Sequence, residues 1–175
     1  MIKVKVSGVA IDPVTKGFVV ILKDETEKRW LPIWVGPYEA KMISLSLEKI
    51  KSIRPLPHDL IKNILDALGV IVTKVVICNI EENTYFANIG LKINNQEKEI
   101  DSRPSDAIAL ALRVNVPIYI TEEVLSKSST EKITIENEKE LKLTELRGKM
   151  QQAIEKENYE EAAKLRDQIR SLEKK

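Results

Sequence analysis

Strand-like and helix-like segments come in blocks along this 175-residue chain, and their order constrains the fold more than any other feature. Three β-branched segments come first, two amphipathic segments follow, and three more strand-like segments lead to a helix and a last short strand. A strictly alternating order is typical of doubly wound parallel sheets, whereas blocks favour an α+β fold. The sequence therefore predicts an α+β domain of antiparallel or mixed sheet meanders with packed helices, followed by a C-terminal α-helical hairpin.

The predicted strands rest on alternation of polar and apolar residues, and on β-branched runs between turn residues. Ile2, Val4 and Val6 alternate with polar residues, and Gly8 breaks the alternation, so a β-bulge is expected there. The other predicted strands are 18–22, 30–35, 70–80, 85–93, a segment that ends at Ile100, and 118–120. The first three strands form one predicted meander and the next three form a second.

The predicted helices rest on apolar spacings of three and four residues and on capping signals. They cover 38–51, 58–68, 107–114 and a short acidic segment that starts at Thr121. Gly69 stands where a C-terminal cap belongs, and Pro104 fits the first turn of the third helix. The third helix is apolar on all sides and is therefore expected to be buried.

A change of composition near residue 127 divides the chain into a globular domain, 1–127, a linker, 128–139, and a helical tail, 140–175. Each predicted tail helix carries one apolar seam, whose central interaction residues are Leu146 and Met150 in one helix, and Leu165 and Ile169 in the other. A hairpin of this size is too small to bury a stable core alone. We therefore expect a homodimer or another protein partner at the seam.

The scarcity of cysteine and histidine excludes several kinds of site. Cys78 is the only cysteine and His58 the only histidine. Disulfides within the chain, multi-cysteine zinc sites and two-histidine metal motifs are therefore excluded. No apolar run reaches the ~20 residues of a membrane span, so a cytoplasmic protein without membrane contact is expected.

Charge and aromatic content limit the partners of the chain. Its 28 basic and 27 acidic residues give a net charge of +1, whereas a dedicated nucleic-acid coat protein is strongly basic. Contact with DNA or RNA would have to come from a local patch. Aromatic residues make up only 5% of the chain, so a large stacking platform for single strands is not expected.

Polar clusters at the starts of predicted helices are the candidates for chemistry. The clusters comprise Glu39 in the first, Arg54, His58 and Asp59 in the second, and Asp101, Arg103, Ser105 and Asp106 in the third. One interpretation is structural, because acids at helix starts act as caps or dipole partners and pair with neighbouring arginines. The functional interpretation requires the three clusters to converge in space.

If the clusters converge, their side chains suit phosphodiester cleavage by metal-activated water. The oxygen ligands for Mg²⁺ or Mn²⁺ would be Glu39, Asp101 and Asp106. The groups that bind the substrate phosphate would be Arg54, Arg103 and Ser105. The catalytic acids and bases would be His58, Asp59, Asp101 and Asp106.

Two stretches carry family resemblances. The tail segment YEEAAKLRD, which starts at Tyr159, resembles the UVR motif, the helical hairpin of the excision-repair proteins UvrB and UvrC. Residues 1–127 resemble the bifunctional nuclease family in the blocks LPIWVGPYEA from Leu31, RPLPHDL from Arg54 and IDSRPSDAIALA from Ile100. The resemblance implies activity on both DNA and RNA, and a protein-interaction role for the tail. Pro57 and Ser102 depart from the commoner Thr and Ala, and neither change removes a candidate acid or base.

Three functional hypotheses therefore stand at the level of sequence. The first is a nuclease that hydrolyses DNA, RNA or both with the help of a divalent metal ion. The alternative is a non-catalytic binding or regulatory module that acts through the UVR-like hairpin. A third, weaker hypothesis is a small-molecule enzyme that uses the same pocket.

Overall fold

The computed structural model describes residues 1–12, 15–26, 29–82, 84–128, 146, 150 and 164–169. Its contacts divide the chain into two compact units, Met1–Thr130 and Glu131–Lys175, and each is described by itself. Most of the predicted linker, 128–139, lies outside the described residues.

The strands of the first unit form one mixed sheet. They are β1 (Ile2–Ile11), β2 (Phe18–Asp24), β3 (Trp30–Val35), β4 (Ile71–Glu81), β5 (Thr84–Ile93), β6 (Gln96–Ser102) and β7 (Ile118–Ile120). Their order in the sheet is β3-β2-β1-β7-β4-β5-β6. Both predicted meanders are confirmed. The short strand β7 joins them, because it pairs antiparallel with β1 and parallel with β4.

One local prediction about the strands is confirmed, and one turn explains how two strands connect. The pairing register between β1 and β2 shifts between Val6 and Gly8, where the β-bulge was expected. Asn94 and Asn95, at the turn between β5 and β6, both have positive φ, 47° and 66°. Asparagine tolerates this conformation better than most residues, and two such residues in succession make the tight hairpin turn that matches strand twist.

Helices follow the strand blocks. They are α1 (Pro37–Leu47), α2 (Pro57–Ala67), α3 (Pro104–Val114) and α4 (Glu122–Lys127). A proline opens each of the first three, at the position where a missing N–H costs nothing. The predicted end of α1 at residue 51 is wrong, because Lys49 has φ 56° and the N–H of Ile50 bonds back to the carbonyl of Leu45.

The core lies between the sheet and α3. Its fully buried members include Leu22, Ile77, Ile108 and Ile120. α3 contacts β3, β4 and β5 as well as α1 and α2, so it is buried on all sides as expected. Each fully buried aliphatic side chain contributes about 1.5–3 kcal/mol. This core fixes the three long helices and their N-termini relative to the sheet.

The second unit is described at only a few positions. Leu146, Met150 and the segment 164–169 lie in helices. Ile169 is buried in the single chain, whereas Leu146, Met150 and Leu165 are half-buried. The remainder of the predicted hairpin lies outside the described residues. Across the described part of the chain, no helix is both long enough and apolar enough to span a membrane.

Candidate functional site

The starts of α1, α2 and α3 bring together residues from all three predicted clusters. Glu39 is the third residue of α1, His58 is the second of α2, and Asp106 is the third of α3. Arg103 is the N-cap residue of α3. Since a proline opens each helix, the polar side chain one or two residues later stands in the first turn.

These four side chains form one continuous series of contacts, which we call the polar chain. The Nη1 of Arg103 lies 3.2 Å from Oε1 of Glu39, and its Nε donates to Oδ2 of Asp106 at 2.7 Å. The Nε2 of His58 lies 3.2 Å from the other oxygen of Asp106. The convergence that the functional interpretation required is therefore present for Glu39, His58, Arg103 and Asp106.

The neighbours of Asp106 favour its ionised form. Burial raises the pKa of its carboxyl group, but hydrogen bonds from Arg103 and His58, and the positive charge of Arg103, outweigh burial. The net pKa lies below the ordinary aspartate value. The carboxylate in turn raises the pKa of Arg103. The contacts with Asp106 and Glu39 hold the guanidinium in one orientation.

His58 supports Asp106 from the interior. The residue is 5% exposed, and no described residue forms a hydrogen bond with its buried Nδ1. A proton on Nε2 makes this contact a hydrogen bond that His58 donates to Asp106. In this geometry His58 orients Asp106 and does not reach solvent.

Asp59 is next to His58 in sequence but has different partners. Its Oδ1 accepts from Nε of Arg113 at 2.6 Å, and its Oδ2 accepts from the backbone N–H of Leu56 at 2.9 Å. Burial raises the pKa of Asp59. The N–H of Leu56 and the guanidinium of Arg113 together lower it by more than burial raises it, so the net pKa is below the ordinary value. These contacts cap α2 and tie it to α3.

Besides Asp59, two further candidate residues stand apart from the polar chain. Asp101 is exposed on β6, where it pairs in register with Asn88, and Arg54 is exposed before α2. Within the described residues, no hydrogen bond or ion pair joins either of them to the polar chain. The third residue of the substrate-binding set, Ser105, is buried in the first turn of α3.

A pocket of about 290 Å³ opens beside the polar chain. The end of β3 and the starts of α1, β5 and α3 form its walls, and Trp34, Glu39, Tyr85, Arg103 and Ser105 line it. Sequence reasoning missed the two aromatic residues, because each lies in a segment that also has a plain strand interpretation. Glu39 and Arg103 are the members of the polar chain that reach this pocket.

Gly36 is a further residue that the sequence interpretation missed. A Cβ atom at this position would collide with Oε2 of Glu39. The φ of Gly36 is −70°, so its backbone does not itself require glycine. The glycine therefore leaves room for the carboxylate in this position.

The predicted metal ligands are not assembled. In the ranges that the structure describes, no group of three His, Cys, Asp or Glu side chains lies close enough to hold a metal ion. Glu39 and Asp106 both pair with Arg103, and Asp101 projects from an exposed strand. The described residues do not fit a resident metal ion, because a guanidinium occupies the position between the two carboxylates.

The fold and the site define a class: an α+β domain whose helix N-termini present an arginine and a carboxylate to a small pocket. Residues 20–132 match the family model of the bifunctional nuclease domain, and residues 140–175 match that of the UvrB/uvrC motif. The chain belongs to the bifunctional nuclease domain family.

Relatives of this chain occur in bacteria and plants. An uncharacterized protein of Mycobacterium tuberculosis is 37% identical over 126 residues, which cover 72% of this chain and 75% of the relative. Bifunctional nuclease 1 of Oryza sativa subsp. japonica is 30% identical over 109 residues, covering 61% of this chain and 33% of that protein. Bifunctional nuclease 1 of Arabidopsis thaliana is 24% identical over 177 residues, covering 86% and 54%. The match therefore spans only a third to about half of these plant proteins.

Proposed function

We propose that this chain is a nuclease that hydrolyses phosphodiester bonds of DNA or RNA in the pocket beside the polar chain. The observation that carries the proposal is the Glu39–Arg103 ion pair, 3.2 Å long, at the wall of that pocket. This pair supports the proposal because its cation can bind a phosphate and its carboxylate can accept a proton from a water molecule. Membership of the family and the names of the plant relatives support the same activity.

Arg103 is the proposed phosphate-binding residue. Its side chain is 67% exposed although two of its nitrogens, Nε and Nη1, are already engaged by Asp106 and Glu39. A guanidinium has five N–H donors in a fixed plane, so the donors on Nη2 are available for a phosphate oxygen. Asp106 and His58 act through Arg103 and are positioning residues.

Glu39 is the proposed general base. In this step a water oxygen bonds to phosphorus, the ester P–O bond breaks, and the water proton passes to the Glu39 carboxylate. The departing oxygen takes a proton from solvent. Holding water and phosphate side by side turns a bimolecular encounter into a step within one complex, which lowers the barrier.

The expected dependence on Mg²⁺ or Mn²⁺ stays part of the proposal. No step above is routed through a metal ion. Magnesium often reaches a site with substrate phosphates rather than in a cage of protein ligands, and this mode is compatible with a site that lacks three assembled carboxylates.

The test is turnover of labelled single-stranded and double-stranded DNA and RNA by highly purified protein, with Mg²⁺, with Mn²⁺ and with chelator. We expect Glu39→Gln and Arg103→Ala each to lower kcat/KM by about 100-fold or more, as loss of a general base or a charge-stabilising group does. Glu123→Gln is the matched control, because Glu123 is also an ion-paired glutamate, 2.7 Å from Lys127, but lies on α4.

Other outcomes contradict the proposal. Equal cleavage by the wild-type protein and both pocket variants would show a contaminant or a different site. No cleavage of any substrate would favour the non-catalytic module, for which substitution of Leu146, Met150, Leu165 and Ile169 should abolish binding of a protein partner. Cleavage that persists in chelator would contradict the dependence on a metal ion, but not the assignment of the site to this pocket.

A further inference from the structure

The pocket has an aromatic wall as well as a charged one. Trp34, at the end of β3, is 53% exposed and lines the pocket together with the half-buried Tyr85 of β5. The other tryptophan, Trp30, is 5% exposed and belongs to the interior. The chain therefore presents one large aromatic surface at the place where the Arg103 guanidinium emerges.

The indole of Trp34 is held in position by the turn between β1 and β2. Its Nε1 donates to Oδ2 of Asp12 at 3.3 Å, and the same oxygen accepts from the hydroxyl of Thr15 at 2.6 Å. Gly17 is near the ring, because a Cβ added there would be 3.9 Å from Cδ1. The polar edge of the ring is thus satisfied, and the apolar ring face remains for a ligand.

The charged wall complements this ring. Arg103 supplies a cation that suits a phosphate, and Ser105 supplies a hydroxyl in the first turn of α3. The volume of about 290 Å³ is at the lower end of small-ligand sites, and suits one nucleotide rather than a stacked pair. A flat ring and a cation in one small pocket match the two ends of a nucleotide, its base and its phosphate.

We propose that this pocket binds one unpaired nucleotide of a single-stranded nucleic acid, with the base stacked on Trp34 and the adjacent phosphate on Arg103. The inference rests on the proposed function and narrows its substrate to single strands. A base inside a duplex would first have to leave its stack, which costs a few kcal/mol. Stacking on one aromatic ring is tolerant of sequence, so it suits both DNA and RNA.

The test measures binding rather than cleavage. A fluorescently labelled, non-hydrolysable phosphorothioate octamer, as single strand and as duplex, is titrated with the full-length protein. The anisotropy of the label gives the affinity of every variant, and tryptophan emission is followed in addition where Trp34 is present. We expect the single strand to quench the emission of Trp34 and to bind more than about tenfold tighter than the duplex. Trp34→Ala should weaken single-strand binding about five- to 150-fold, and Trp34→Phe should restore part of it.

Tyr38→Ala is the matched control. Tyr38 is an aromatic residue of the same exposure, 52%, which does not line the pocket, so its loss should leave binding unchanged. Circular dichroism of each variant shows whether it has folded, and Trp34→Phe keeps the test valid if Trp34→Ala does not fold.

The outcomes separate this inference from the proposed function. Quenching and Trp34-dependent binding without any cleavage would support the nucleotide site and contradict the nuclease. Cleavage with unchanged binding by Trp34→Ala, or equal affinity for duplex and single strand, would overturn the nucleotide site and leave the nuclease. A mononucleotide that binds as tightly as the octamer would also overturn the assignment to single strands, because the pocket would then be a small-ligand site.

Discussion

At the residue scale, the position of the Glu39 carboxylate depends on the absence of a side chain at residue 36. The carboxylate packs over Gly36, in the space that a Cβ atom would occupy. It also pairs with Arg103 at 3.2 Å. Displacing it would therefore change both the proposed base and one of the two contacts that orient the guanidinium.

We predict that Gly36→Ala lowers nuclease activity by about 100-fold, the usual cost of misplacing a reacting group by about 1 Å. The thermal stability should not fall. The φ of −70° suits alanine, and Gly→Ala at a compatible position stabilises a protein by about 0.4–1 kcal/mol. Kinetics on a labelled oligonucleotide, together with thermal melts, measure both effects.

Gly8→Ala is the control for this prediction, because an added Cβ at Gly8 meets no atom within 4 Å. Its activity should equal that of the wild-type protein. Full activity of Gly36→Ala would show that the exact place of the Glu39 carboxylate does not matter, and would argue against its role as the base.

The residues of the polar chain could be predicted from sequence, but Asp101 could not be told from Asp106. Both acids flank Arg103 in one motif. The difference arises from secondary structure, because Asp101 still belongs to the exposed edge strand β6, whereas Asp106 lies in the first turn of α3. Trp34 was not predicted either, since an aromatic residue in a strand is usually a core residue.

At the scale of elements, α2 carries two aspartates whose ion pairs contribute differently to stability. Asp59 pairs with Arg113, whose side chain is only 7% exposed, whereas Asp66 pairs with Lys62 on the open helix surface. Removing one partner of a buried pair leaves the other charge without compensation. Exposed pairs four residues apart contribute little.

We predict that Asp59→Ala lowers the free energy of unfolding by about 2 kcal/mol at pH 7, discounted from the usual 3–5 kcal/mol because Asp59 is partly exposed. The matched variant Asp66→Ala should cost roughly 0.5 kcal/mol or less. Urea unfolding of the two variants measures the difference. Equal losses would show that the Asp59–Arg113 pair does not anchor α2 to α3.

The difference in the free energy of unfolding between the wild-type protein and Asp59→Ala should become smaller as the pH falls. The folded pKa of Asp59 lies below its ordinary value of 3.8, so the pair stabilises the fold fully above that value. As the pH falls through the lower, folded pKa, the carboxylate is protonated in both states and this contribution is lost. The unfolding curves of the two proteins should therefore differ at pH 7 and approach each other as the pH is lowered below 3.8.

The bounds of helices and strands with an apolar pattern could be predicted to within a few residues. The bounds of elements without such a pattern could not. The strands 30–35 and 118–120 have the predicted bounds, and Gly69 takes the left-handed cap position with φ 67°. By contrast, β6 extends over Gln96–Ser102, although only Ile100 pointed to it. An edge strand that is exposed along its length has no buried face to impose alternation.

At the scale of the whole molecule, the union of the two meanders into one sheet was beyond sequence reasoning. It depends on β7, a strand of three residues that lies between β1 and β4. Its apolar residues indicate burial but not a position in the sheet. The pairing of such a short strand with β1 and β4 joins residues that are distant in the sequence, which a local pattern does not show.

The same scale includes the relation between the two units of the chain. The two core clusters of the first unit consist of described residues between Ile2 and Leu125. Within the part of the chain that the structure describes, the polar chain and the pocket also use residues of that unit only. The first unit should therefore fold and show the proposed activity without the tail. Self-association, by contrast, should require the apolar seam of the tail.

We predict that a chain cut after Thr130, the end of the first unit, melts cooperatively and keeps the kcat/KM of the full chain. We further predict that the full chain is a homodimer by light scattering and the shortened chain a monomer. The four-site variant of the seam, at Leu146, Met150, Leu165 and Ile169, is the matched control, because it should be monomeric at full length.

The results together show which unit carries cleavage and which carries association. A shortened chain that is active and monomeric would place cleavage in the first unit and association in the second. A shortened chain that stays dimeric would move the interface to the first unit, where α2 exposes Leu60, Ile64 and Leu68 along one face. A shortened chain that folds but loses all cleavage would contradict a site made by the first unit alone, because every residue given a role in that site would still be present.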